Sequence, residues 1–198
     1  MIYNKLSPEL VKDFWNYMSD LYDTTTVTKA DSAFMKTVGW ALNLMKIQDK
    51  TTFMNKYTTT IGKTIYVCFK VGDPVSKDLA SQISICTHEH QHVVQYRKGG
   101  FDFKMEYLLQ HDQRAKYEAQ AYTTNMEIYY WYTGKILNSD SLANKLSAYG
   151  CDSKDIMVAK TILDTNARII KRGGIIYEAS QKAIDWLNDH TEGVKFEG

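Results

Sequence analysis

Proline is nearly missing from this sequence: there are two in 198 residues, beside eleven glycines. A chain so poor in breakers is neither a linker nor a low-complexity disordered segment. Cysteine is scarce and odd in number. Cys68, Cys86 and Cys151 have no C-x-x-C partner, which argues against a thiolate zinc site. They read as small buried hydrophobes kept reduced. Neither sign of charge dominates, with 24 basic and 23 acidic residues and a net charge of +1. That balance gives no reason to expect nucleic acid or an anionic membrane as partner. No apolar run reaches the about 18 residues that a membrane span needs. Met1 to Leu10 lacks an apolar stretch of signal-peptide length, and the expected setting is cytoplasmic. There is no repeat, no Gly-rich phosphate loop and no Gly-x-Ser-x-Gly turn, so neither nucleotide binding nor serine chemistry is indicated.

What is present is a hydrophobic fraction of 44%, ample for a core, in a chain of single-domain length. Ser7-Pro8-Glu9 opens a helix carrying Leu10, Phe14, Tyr17, Met18 and Leu21 at helical spacing. Tyr22 to Val27 reads as a threonine-rich break. A second helix, capped by Thr28 or Asp31, puts Phe34, Val38, Ala41, Leu42 and Met45 on its apolar face. Thr51 to Thr60 has strand composition, Ile61-Gly62-Lys63 a turn, and Lys63 to Lys70 strand alternation with Ile65, Val67 and Phe69 on one side.

The stretch His88-Glu89-His90-Gln91-His92 carries the chemistry. On a helix predicted over about 77–98, capped by Ser76 or Asp78 and stopped at Gly99-Gly100, His88 and His92 share one face. Two imidazoles so placed can hold one metal ion. Glu89 sits about 60° from His92, on the flank of that face, where it can hold and deprotonate a water. His90 points elsewhere and reads as a core histidine. Gln95 and Tyr96, one turn beyond His92, read as packing or supporting partners.

Catalytic zinc commonly takes three protein ligands and leaves a fourth position for water. The third ligand is expected from Glu118, which follows His92 by 26 residues, room enough for a turn and an antiparallel helix. His111 is the rival. The helix from 112 to about 133 places Glu118, Tyr122, Asn125, Tyr129 and Tyr132 along one stripe, the top of it toward the metal and the rest as core. The last third reads as helices over about 138–149, 152–172 and 175–189, with Gly173-Gly174 as a break.

His88-Glu89-x-x-His92 followed by Glu118-x-x-Ala121 resembles the active site of gluzincin-type zinc metallopeptidases, over roughly residues 60–134. The resemblance implies a zincin-like α+β fold, mainly helical, with a small sheet of two or three strands packed on the motif helix. The expected organisation is one domain over 1–198, with a core of about 51–134 and helical extensions at 1–50 and 135–198. It implies Zn2+ on His88, His92 and Glu118, and Glu89 as the base for a zinc-bound water attacking a peptide bond. The oxyanion partner is expected among Tyr122, Arg114, Tyr177 and His190, which the sequence does not separate; Tyr122 is taken as the site residue beside Glu89. The partner would be a peptide or protein substrate. The alternative is a structural or interaction protein on a metal-binding scaffold.

Overall fold

The computed structural model describes residues 6–44 and 50–192. It is a mainly helical α+β chain with one small mixed sheet. Contacts divide the described residues into two compact units, one over 6–83 and one over 84–192. The expected core of about 51–134 draws residues from both. Among the described residues, no helix is long and apolar enough to cross a membrane.

In the first unit, α1 spans Pro8–Tyr22. Ser7 accepts from the Leu10 N–H at 3.1 Å and Pro8 needs no N–H partner at the first helical position, so the helix starts where the sequence says. It buries Leu10, Val11, Phe14, Trp15, Met18 and Tyr22, each large side chain giving about 2 kcal/mol of transfer free energy. The chain leaves α1 through Asp23 in the left-handed region, φ 46°.

The threonine-rich stretch that follows is not a break. Thr25–Thr28 forms β1, parallel to β3 (Thr64–Val67). β-Branched threonines suit a half-buried strand, and the pattern was too short to announce itself. β2 (Thr59–Ile61) pairs antiparallel on the other side of β3, giving the order β1-β3-β2. Gly62, at φ 62°, opens the two-residue turn between Ile61 and Thr64. Ile65, Val67 and Phe69 are buried, as their alternation predicts.

Two other expectations need correction. The helix α2 (Ala33–Leu44) is capped by Ser32, whose hydroxyl accepts from the Met35 N–H at 3.1 Å, not by Thr28 or Asp31. That moves the buried face to Met35, and Phe34 is 53% exposed; Met45 lies outside the described residues. The predicted strand at 51–60 is largely α3 (Lys50–Lys56). Lys29 explains why helix prevails. Its buried ammonium donates to the Phe53 carbonyl at 3.1 Å and lies 3.6 Å from that ring's centre. Phe53 is among the last four carbonyls of α3, which lack partners within the helix, and a cation there also suits the helix dipole.

The helix α4 runs Leu79–Leu109, with Asp78 accepting from the Ser81 N–H at 2.8 Å at its start. Its path breaks at Gly100, φ 54° and ψ −129°. The predicted stop at Gly99-Gly100 is therefore a kink, and the chain resumes a helical course to Leu109.

In the second unit, α5 (His111–Thr133) returns antiparallel to the first part of α4, tied by hydrogen bonds from Asn125 to Ser84 and from Gln95 to Tyr117. α6 (Ser139–Asn144) is capped by Asn138, and α7 (Ser153–Ile170) by Asp152 in a capping box with Asp155. Ala119, Met126, Leu142, Leu146, Ala159 and Leu163 form the core between these helices. The last helix, α8 (Glu178–His190), starts three residues later than predicted. Glu127 of α5 accepts from the Ile176 main chain just before that start.

Candidate metal centre

α4 presents His88 and His92 one turn apart, with ring centres separated by 4.9 Å. α5 brings Glu118 against both. One carboxylate oxygen, Oε2, lies 3.7 Å from His88 Nε2, and the other, Oε1, lies 3.4 Å from His92 Nε2. The two imidazoles are each 11% exposed and Glu118 is 1% exposed. One ligand atom from each of the three residues can be chosen so that all lie within 4.8 Å of one another.

The hydrogen bonds behind the histidines decide which nitrogen faces inward. The Asn125 amide nitrogen donates to the Ser84 carbonyl at 3.1 Å and to the Ser84 hydroxyl at 2.7 Å. Its oxygen is thus left to accept the Nδ1 proton of His88, at 2.8 Å. Gln95 repeats the arrangement. Its amide nitrogen donates to the Tyr117 carbonyl at 2.9 Å and to Gln120 at 3.0 Å, and its oxygen accepts from His92 Nδ1 at 2.8 Å. Both rings therefore carry a proton on Nδ1 and turn Nε2 toward Glu118. Burial, then the neighbouring His92, holds the His88 pKa below its ordinary value. A neutral imidazole is the form that binds a metal.

Nε2 of each ring and the Glu118 carboxylate now converge. The Oε2 atom of Glu118 is buried and has no hydrogen-bond partner. A buried carboxylate oxygen left without a donor is costly, and a cation bound beside it would remove that cost. Each Nε2 lies within 4 Å of a Glu118 oxygen, Oε2 for His88 and Oε1 for His92, and the donor set of two imidazoles and one carboxylate is one that metal ions take. His88, His92 and Glu118 can therefore hold a metal ion.

Around them lies an aromatic wall. The Tyr122 ring is 5.2 Å from His88, and that of Tyr107 is 5.9 Å from His92. The Tyr107 hydroxyl donates to Glu118 Oε1. Burial and then the Glu118 charge raise the Tyr107 pKa well above its ordinary value, so this phenol keeps its proton. Tyr149 is raised by the same causes and shares a hydrogen bond with Tyr122.

Glu89, on the flank of the ligand face, is 6% exposed. The other residues named from sequence fall as follows. His90 is fully buried, with its Nδ1 2.7 Å from the Cys86 carbonyl and its pKa lowered to about 4 by burial, as a core histidine should be. His111 is exposed at the first residue of α5, outside the cluster. Arg114 donates to the carbonyls of Tyr107, Tyr149 and Leu108 at 2.5–2.7 Å, so it grips main chain. Tyr177 bonds with Asn166 and responds to Glu127, on another part of the unit. His190 bonds to the Trp186 carbonyl and stacks on that ring at 3.9 Å. Of the four oxyanion candidates, only Tyr122 has its ring beside a proposed ligand.

Tyr107 and Tyr149 were missed. No sequence spacing marks them, because Tyr107 reaches the site through the bend at Gly100 and Tyr149 lies in the 3-10 turn after α6. No family model, curated protein or solved structure matches the chain.

Proposed function

We propose that this chain is a zinc-dependent metallopeptidase of gluzincin type, holding Zn2+ on His88, His92 and Glu118. The observation that carries this reading is the convergence of His88, His92 and Glu118, with both rings held at Nδ1 from behind. Two imidazoles and one carboxylate suit zinc. A zinc ion there would polarise a substrate carbonyl and acidify a water.

The chain's own residues supply the rest. Glu89 takes the proton of the attacking water and returns it to the departing amine, the two halves of general acid–base catalysis. Tyr122, beside His88, donates toward the oxygen on which charge develops. Asn125 and Gln95 hold the two imidazoles through Nδ1 and so keep Nε2 of each aimed at Glu118. Nearly buried, the site keeps bulk water from competing with these groups.

A second reading is favoured by that same burial. Ligands only 11% and 1% exposed also suit a metal that serves to hold helices together, in a scaffold or interaction protein. Such a metal has no use for Glu89, and this separates the two readings. In the peptidase, Glu89→Gln retains zinc and loses about 10²- to 10⁴-fold in hydrolysis of a peptide library. A variant as active as the wild type would overturn the peptidase reading. Zinc-loaded wild type that cleaves nothing would favour the scaffold.

A further inference from the structure

The two oxygens of Glu118 are not equivalent. Oε1 accepts from the Tyr107 hydroxyl, whereas Oε2 is buried without a partner. The phenol cannot drift, because the structure holds it from several sides. Its ring packs edge-on against His92 and at a tilt against Phe103, with centres 5.9 and 5.8 Å apart. Its main-chain carbonyl accepts from Arg114 Nε at 2.7 Å. The same guanidinium donates to the carbonyls of Leu108 and Tyr149 at 2.6 and 2.5 Å, so the end of α4 and the turn containing Tyr149 are fastened together. Gly100 supplies the bend that brings this segment of α4 back to Glu118.

A hydrogen bond to one oxygen of a ligating carboxylate withdraws that oxygen's electron density and fixes the plane of the group. We infer that Tyr107 is a positioning residue that restricts Glu118 to a single ligating oxygen, Oε2, and so keeps a coordination position open for substrate or water. The inference rests on the metal reading above. Without the phenol, both carboxylate oxygens are free to ligate, and the open position is filled by the protein itself.

The test is substitution with Co(II), whose visible absorption is strong in four-coordinate sites and weaker when a fifth ligand is added. The wild type and Tyr107→Phe are compared for cobalt affinity, by competition with a chelating dye, and for the intensity of the visible band. Phenylalanine keeps the ring contacts with His92 and Phe103, and far-UV circular dichroism checks the fold. The expected result is a band of reduced intensity, with affinity lowered by about 10-fold. An unchanged band and unchanged affinity in a cobalt-loaded variant would overturn the role of Tyr107 while leaving the metal site standing. A wild type that takes up no cobalt would remove both. Arg114→Lys tests the same link without touching the phenol. It retains a cation but loses the three-way grip, and its band is expected to weaken in the same direction; a wild-type band in that variant counts against the inference.

Discussion

Asn125 accepts the Nδ1 proton of His88 at 2.8 Å, and this one bond, made from the opposite helix, turns the other ring nitrogen toward Glu118. Gln95 does the same for His92 from within α4. Removing either amide frees a ring to rotate and to change tautomer. Asn125→Ala and Gln95→Ala are each expected to weaken zinc binding by about 10- to 100-fold, measured by competition with a chelator. Wild-type affinity in both variants would show that the amides only pack.

Gly100 tests the bend. Its φ of 54° and ψ of −129° lie outside what residues with a side chain readily adopt. An added Cβ would meet nothing within 4 Å, so the cost of Gly100→Ala is conformational alone. It is expected at about 1–3 kcal/mol, read from the urea unfolding midpoint. Because the bend delivers Tyr107, zinc affinity should fall too. A variant as stable as the wild type would show that the segment straightens at no cost.

Glu127 tests the electrostatics behind the last helix. Burial raises its pKa to about 7, against the main-chain N–H donors of Ile176 and Tyr177, which lower it. In the unfolded chain the ordinary value of 4.5 applies. Below pH 4.5 both states hold the proton and the folded state has its full advantage. As pH rises toward 7 the unfolded chain releases the proton first, and up to about 3 kcal/mol of stability is lost. Unfolding of the wild type by urea should show this fall, and Glu127→Gln should flatten it. An equal fall in the variant would assign the pH dependence to other groups.

The site was more legible than the surrounding fold, and the reasons are physical. Two histidines four apart are neighbours on any helix, so His88 and His92 needed only α4 to exist. Glu118 needed only an antiparallel return, which the length of the connection permits. Tyr107 depends on a backbone bend that residue spacing does not encode, and Tyr149 on the docking of a 3-10 turn. Likewise, Ser7 announced its helix because its cap is local in sequence. α3 and α8 were misplaced because their ends are satisfied from afar. Lys29 reaches Phe53 across 24 positions, and Glu127 reaches Ile176 across 49. β1 needed β3, 39 positions on, before its threonines could count as a strand.

The most direct test of the account is elemental analysis of the purified protein, with Glu118→Ala beside the wild type. The account predicts about one zinc per wild-type chain and a marked loss in the variant while far-UV circular dichroism stays helical. No zinc in the wild type, even after zinc is supplied, would contradict it, and His88, His92 and Glu118 would then be a buried cluster that holds no ion.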